Sequence, residues 1–178
     1  ITSVSGGSLA GAYFALHGRR GFDDFRTKVL DRDLERDLRM SLFSIGNFSR
    51  LLAGGLNDRS NLTRTLDNEV FGHATFAELY RQGKPDVWIN ASDLYNRTPF
   101  PFTPSVFMSL CSDLSRFSVA EAVAASMAVP LVFSPVVLQT YPDQCLSELP
   151  RWTQRGTPRA GEGTLAAVAS AVRNYRDP

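Results

Sequence analysis

Apolar and polar positions at the start of the chain predict a strand, a turn and a helix in succession. Residues 1–4 have strand composition, and residues 5–7 are small and predict a turn. From Ser8 onward, apolar residues recur at the spacing of one helical face, and this pattern ends between Gly18 and Gly21. The first strand and the first helix therefore meet at a sharp turn.

Helical and strand patterns alternate over the rest of the 178-residue chain. Two helix starts carry a capping box, in which a hydroxyl and a glutamate three residues later satisfy free N–H groups, at Thr75 and Ser118. This order of elements predicts an α/β fold with a mainly parallel sheet, with residues 1–178 as a single domain. The predicted elements after the first helix are helices over 24–42 and 62–71, a capped helix from Thr75, a strand over 86–91, an edge strand or turn over 98–104, a capped helix from Ser118, a strand over 131–138, a linker over 156–163 and a helix over 164–175.

Composition narrows the class of protein without assigning a function. With 43% hydrophobic and 21% charged residues, the chain has the mix of a globular protein. The balance of 19 basic and 18 acidic residues gives no electrostatic footprint for nucleic acid, so we expect no nucleic-acid partner. Cys111 and Cys145 are too few for a disulfide framework or an all-cysteine zinc site, and the sequence leaves their pairing open.

The strongest chemical signal is the turn between the first strand and the first helix. A serine among small residues at such a turn is the pattern of a nucleophile elbow, which lifts its hydroxyl above the sheet and beside the free N–H groups of the helix. Ser5 and Ser8 both fit, because each has small residues two positions before and two positions after it. The alternative is an ordinary strand-to-helix turn, since neither phosphate-loop fingerprint matches.

Three stretches, which follow one another along the chain in the order of the family's motifs, resemble the patatin-like phospholipase family. Together they span residues 3–138. Aligning the first of them with the family's Gly-x-Ser-x-Gly elbow puts the family's serine on Ser5, with Ser3 in place of the first glycine. Residues 139–178 form an extension that matches only loosely. The three stretches are SVSGGSLAGAYFAL at residues 3–16, WINASDL at 88–94 with Phe100 and Phe102 after it, and AASMAVP at 124–130 with FSP at 133–135.

The resemblance implies a three-layer α/β/α fold and a serine hydrolase of lipid esters, either phospholipids or acylglycerols. In this family an aspartate acts as the general base for the serine, and there is no catalytic histidine. Ser5 would then be the nucleophile in the elbow with Gly6 and Gly7, and the Gly6 N–H would be an oxyanion donor. We expect no metal and no other cofactor. The partner would be a lipid ester substrate, free or at a membrane surface.

Two parts of the family's machinery have no counterpart in the sequence. The chain contains no Asp-Gly dipeptide, where the family carries its catalytic aspartate, and it opens on Ile1 without the Gly-rich oxyanion loop. We therefore expect an internal piece of a longer protein that is inactive alone. Asp93, Asp113 and Asp143 read as turn or capping residues rather than substitutes.

Other interpretations stay open beside the patatin-like one. A non-catalytic lipid- or protein-binding module could keep the fold and lose the dyad. A Ser-His-Asp hydrolase or an acyltransferase with a similar elbow would need a catalytic histidine outside this chain. Of the two histidines present, His17 reads as a helix-end residue and His73 as a solvated turn residue.

Overall fold

The computed structural model describes residues 1–31, 59–128, 136–141, 145, 148–149, 151–154 and 163–176. Strands and helices alternate through these residues, as the sequence pattern predicts for an α/β fold. The elements are β1 (Thr2–Val4), α1 (Gly6–Phe25), α2 (Arg59–Thr65), α3 (Phe76–Leu79), β2 (Trp88–Asp93), β3 (Thr98–Pro101), α4 (Pro104–Ser109), α5 (Val119–Met127) and α6 (Gly163–Asn174). Two π-helical segments, Arg26–Leu30 and Leu66–Phe71, continue α1 and α2, and 3₁₀ turns cover Leu114–Arg116 and Arg151–Gln154.

The described sheet has three strands in the order β1-β2-β3. β1 and β2 run parallel, with Val4 opposite Asn90, and a long connection through α1, α2 and α3 joins them. β2 and β3 run antiparallel, with Asp93 opposite Thr98. Only four residues, 94–97, link these two strands, and so short a connection permits only antiparallel pairing. The described part of the sheet is therefore mixed.

Helix α1 begins at Gly6, two residues before the start that the apolar pattern predicts. It bends at Gly18, whose φ of 66° and ψ of −169° lie outside the helical region, within the predicted end of the helix. The chain continues helically to Phe25, and the Phe25 ring packs 5.0 Å from Tyr13 in the first part of α1. The lack of a side chain at Gly21 permits this bend, because a Cβ there would clash with the Cβ of His17 at a distance of 2.3 Å.

Aromatic side chains from several elements form the centre of the core. Phe76 from α3 stacks on Phe102, the residue directly after β3, with ring centroids 6.3 Å apart. Phe102 also contacts Phe107 and Phe117. Ile89 of β2 is fully buried, as the central strand requires. This cluster fixes β2 and β3 against the helices.

Three predicted helix boundaries are confirmed. Gly72 ends the helical run begun by α2 in the left-handed conformation with φ 58°. Thr75 and Glu78 form the predicted capping box of α3. Ser118 caps α5, since its hydroxyl accepts from the N–H of Glu121 at 3.4 Å.

The second capping box is only half formed. Among the described contacts, the Glu121 carboxylate does not return to the backbone of Ser118 as the sequence predicts. Ser118 lies opposite Thr75 in an isolated antiparallel bridge, whose hydrogen bonds run from Phe76 to Phe117 and from Val119 to Ala74. The Ser118 hydroxyl also donates to a carboxylate oxygen of Asp67 at 3.4 Å.

A disulfide joins Cys111 and Cys145, whose Cα atoms lie 4.9 Å apart, and this answers the question that the sequence leaves open. It ties the segment around Tyr141 to the end of α4. The N–H of Tyr141 reinforces this link by donating to the carbonyl oxygen of Leu110 at 3.1 Å. Residues 136–141 are thereby held beside α4 and β3.

Some predicted elements lie outside the described residues. These are residues 32–42 of the predicted 24–42 helix, the linker up to residue 162, the turn at Asp143, and residues 131–135 of the predicted last strand. Residues 136–138 of that strand are described and have no regular secondary structure. The last helix, predicted over 164–175, is observed as α6. Among the helices described, none combines the length and the apolar character needed to cross a bilayer.

The cap at Ser118 has a measurable contribution to stability. Replacing Ser118 by alanine should lower the free energy of unfolding by about 1 kcal/mol, because the Glu121 N–H loses its acceptor. Ser118→Thr keeps the hydroxyl and should stay close to wild type. Urea unfolding of the three proteins measures both values, and equal losses in the two variants would contradict the cap.

Candidate active site

Ser5 occupies a backbone conformation that residues other than glycine rarely adopt. It lies between β1 and α1 with φ 55° and ψ −134°. A positive φ with an extended ψ is strained for any residue but glycine, and such strain is typical of functional sites. The chain therefore turns sharply from strand to helix at Ser5, and this turn, residues 4–7, is called the elbow below. The Ser5 side chain is exposed to solvent.

The hydroxyl of Ser126, near the end of α5, holds this turn in place. The Ser5 N–H donates to Ser126 Oγ at 2.9 Å, and Ser126 Oγ donates to the carbonyl oxygen of Asn90 at 2.6 Å. Ser8 Oγ lies 2.8 Å from Ser126 Oγ. A hydroxyl has one proton to donate and two lone pairs that accept, so Ser8 must be the donor in this last bond. One hydroxyl group thus links the elbow, α1 and β2, with its full bonding capacity used.

The two candidate serines have opposite environments. Ser8 is fully buried, and its hydroxyl is committed to Ser126. Ser5 is exposed, and its hydroxyl has no hydrogen-bond partner in the part of the chain that the structure describes. The phase of the apolar face predicts this placement, with Ser5 at the turn and Ser8 in the first helical turn. Only Ser5 has a hydroxyl free to meet a ligand.

The first residues of α1 leave the space beside Ser5 open. Gly6 and Gly7 are exposed, and no described atom lies within 4 Å of the position that a Cβ would take at either residue. Their N–H groups are among the first in the helix, where no intrahelical acceptor exists. The positive end of the helix dipole therefore lies beside the Ser5 hydroxyl, in an accessible position.

Ser3, which stands two residues before Ser5, fits its position although it is larger than glycine. Its hydroxyl donates to the carbonyl oxygen of Trp88 at 3.1 Å, so the buried polar group is satisfied. Gly11 of α1 faces Ser3, and a Cβ at Gly11 would lie 3.6 Å from Ser3 Cβ, an ordinary van der Waals distance. The strand and the helix leave room for the serine.

A cavity of about 720 Å³ lies next to the elbow. Val4 and Ser126, the two residues that flank and hold Ser5, are part of its wall. Most of the remaining wall is apolar and includes Phe100, Leu110 and Val136. The cavity therefore offers an apolar volume that reaches two residues in contact with Ser5, although Ser5 itself does not line it.

Asp93 contributes a carboxylate to the wall of this cavity. Its carboxylate accepts hydrogen bonds from the N–H groups of Tyr95 and Asn96, both at 2.9 Å, and from the Asn96 side chain at 2.7 Å. The Tyr175 hydroxyl donates to it at 2.5 Å. Burial by itself would raise the pKa of Asp93, but these hydrogen bonds, that of Tyr175 first, lower it below its ordinary value. Asp93 is thus the turn-stabilising carboxylate that the sequence predicts.

A family model for patatin-like phospholipases matches residues 1–145. The chain belongs to the patatin-like phospholipase family. Members of this family are lipid hydrolases of α/β fold, in agreement with the class that the sequence predicts. No curated protein and no solved structure matches the chain. The match includes the elbow, β2 and α5, and it ends before α6.

Neither histidine of this patatin-like chain lies among the residues that line the cavity. His17 packs against the Tyr13 ring at 4.4 Å, and burial, followed by the positive charges of Lys28 and Lys84, lowers the pKa of its imidazole. The exposed His73 has its Nδ1 2.5 Å from a carboxylate oxygen of Asp67. Each histidine therefore contacts a residue that does not line the cavity.

Asp113 and Asp143 are the other two aspartates that the sequence analysis considers. Asp113 caps a 3₁₀ turn by accepting from the Ser115 N–H, as the sequence predicts, and Asp143 lies outside the described residues. The described ranges contain no group of three or more His, Cys, Asp or Glu side chains arranged to ligate a metal ion.

Sequence reasoning missed two residues of this patatin-like site. Ser126 is a polar residue on a buried face of an otherwise alanine-rich helix, and that exception was the available signal. Tyr175 is brought to Asp93 by a contact between residues 82 positions apart, for which the sequence gives no local signal.

Removing the Ser126 hydroxyl should destabilise the patatin-like chain more than removing an ordinary buried serine. Ser126→Ala leaves the Ser5 N–H and the Ser8 hydroxyl without their acceptor, so we expect a loss of about 1–3 kcal/mol of unfolding free energy. Ser109→Ala is the matched control, because Ser109 is also buried in a helix but bonds only to its own helical turn at Val106. Chemical denaturation compares the two, and equal losses would contradict the role of Ser126.

Proposed function

We propose that Ser5 is the nucleophile of a patatin-like acyl-ester hydrolase that acts on lipid esters. The observation that carries this proposal is the strained elbow at Ser5, exposed and fixed by the Ser126 hydroxyl within a chain of this family. Ser8 is a poorer candidate, because burial and its bond to Ser126 remove its hydroxyl from reach.

In the proposed reaction, Ser5 Oγ attacks the ester carbonyl carbon and loses its proton to a general base. The resulting oxyanion is stabilised by the Gly6 N–H at the positive end of α1, with Gly7 completing the open turn. The tetrahedral intermediate then expels the alcohol, which takes up the proton, and leaves an acyl group on Ser5. Water attacks this acyl-enzyme, releases the fatty acid and restores the hydroxyl.

We further propose that the general base is an aspartate outside residues 1–178. The chain has no Asp-Gly dipeptide, which is the family motif that carries this aspartate. Asp93, although it lines the cavity, already accepts hydrogen bonds from Tyr95, Asn96 and Tyr175, so it has little capacity left for the serine proton. We therefore expect residues 1–178 alone to hydrolyse esters several orders of magnitude more slowly than a protein that also contains this aspartate.

The cavity supports a substrate with an apolar acyl part. Its wall is mostly hydrocarbon, and Val4 and Ser126 connect it to the elbow. Burying each methylene of an acyl chain there would contribute about 0.8 kcal/mol to binding. A phospholipid or acylglycerol ester would place its acyl chain in the cavity and its carbonyl at Ser5.

Labelling of the full-length protein with a fluorophosphonate tests the assignment of the nucleophile. The probe should form a single adduct on Ser5, Ser5→Ala should abolish labelling, and Ser8→Ala should keep it in the folded fraction. Tandem mass spectrometry of the modified N-terminal peptide distinguishes the two serines. An adduct on Ser8, or labelling that persists in Ser5→Ala, would falsify the proposal.

A further inference from the structure

The wall of the cavity includes a helix that lies beyond the part of the chain matched by the family. The family model ends at residue 145, and α6 begins at Gly163. Nevertheless Asn174 and Tyr175, at the end of α6, both line the cavity beside the elbow. The shape of this cavity therefore depends on residues that are outside the family-matched part of the chain.

The end of α6 is fixed to the turn between β2 and β3. Tyr175 donates to Asp93 at 2.5 Å, and the Asn174 side chain donates to Asn96 at 2.9 Å. The Tyr175 ring also packs edge-on against Phe100, with the centroids 6.1 Å apart. Burial, the bond to Asp93 and its charge all raise the pKa of the Tyr175 hydroxyl, so it stays neutral and donating.

The helix itself is anchored away from the cavity. Ala171 and Val172 are buried against the rest of the protein. The guanidinium of Arg176, the residue after Tyr175, donates to the carbonyl oxygen of Met108 at 3.2 Å. With its neighbours tied down on both sides, the Tyr175 ring is a fixed wall rather than a loose side chain.

The position of Tyr175 relative to the elbow follows from the strand register. Asn90 lies opposite Val4, the last residue of β1, and Asp93 is three residues farther along β2. At about 3.3 Å per residue, Asp93 and the Tyr175 hydroxyl bonded to it lie about 10 Å along the strand from Asn90. An acyl chain that starts at Ser5 and follows the apolar wall would meet Tyr175 at the other end.

We propose that Tyr175 is a specificity-determining residue that closes the acyl cavity and limits the length of the chain it accepts. This inference rests on the proposed function, because it takes the cavity as the acyl site. The aromatic ring supplies the steric barrier, and the hydrogen bond to Asp93 holds the ring in place. Truncating the side chain should therefore enlarge the cavity into the space of the ring, beside the β2–β3 turn whose residues Leu94, Tyr95 and Asn96 already line it.

Fatty-acid binding to the 178-residue chain tests this barrier without requiring catalysis. Saturated acids of increasing length compete with a fluorescent fatty acid, and the length at which affinity stops rising is the readout. In Tyr175→Ala this limit should move to longer acids, with affinity for them rising about fourfold for each additional buried methylene. Tyr175→Phe keeps the ring and should keep the wild-type limit. Leu165→Ala, on an exposed position of α6, is the surface control.

Several outcomes would overturn the proposal. They are an unchanged limit in Tyr175→Ala, the same shift in Tyr175→Phe, or no fatty-acid binding by the wild-type chain. Because Tyr175→Ala could fail to fold, wild-type protein is also crosslinked with a fatty acid that carries a diazirine at its far end. The adduct should fall on the peptide that contains α6, and an adduct elsewhere would refute the proposed wall. None of these results depends on Ser5, so they are separate from the fluorophosphonate test.

Discussion

The site depends on one buried hydroxyl group, that of Ser126, and on the rule that buried polar groups must be satisfied. Ser126 donates to β2 at Asn90 and accepts from the backbone of Ser5 and the side chain of Ser8. The strained conformation of Ser5, which costs on the order of 1–3 kcal/mol, can persist only where surrounding contacts fix it. Because the same hydroxyl engages both serines, it keeps Ser8 in the core and Ser5 at the surface. The elbow is therefore a product of long-range contacts as much as of its own small residues.

The wall of the cavity beside the elbow is built from several distant parts of the chain. β2 and α5 supply the side near Ser5, within the family-matched residues. The segment over residues 136–141 is held to α4 by the Cys111–Cys145 disulfide, and it supplies a second side. Tyr175, beyond the family-matched residues, supplies a third side. Under the proposed function, chemistry at the serine and selection of the acyl chain would fall to separate elements.

Local signals predicted the local features of this structure. The helical phase from Leu9 onward distinguished Ser5 from Ser8, and the Thr75 capping box and the break at Gly18 lie where their residue types predict. The role of Ser126, the cysteine pairing and the position of Tyr175 were not predicted in this way. Each depends on contacts between segments that are far apart in sequence, 121 residues for Ser5 and Ser126, and periodicity carries no information about such pairs. The mixed sheet likewise follows from a tight turn whose pairing the pattern left open.

A crystal structure of the chain that resolves the backbone of Ser5 tests the central claim most directly. The account predicts that Ser5 has φ near 55° and that its N–H donates to Ser126 Oγ at about 2.9 Å, with the Ser8 hydroxyl on the same oxygen. A Ser5 with negative φ, or a Ser126 hydroxyl that bonds only within its own helix, would contradict the account, because the elbow would then lack the constraint that exposes its serine.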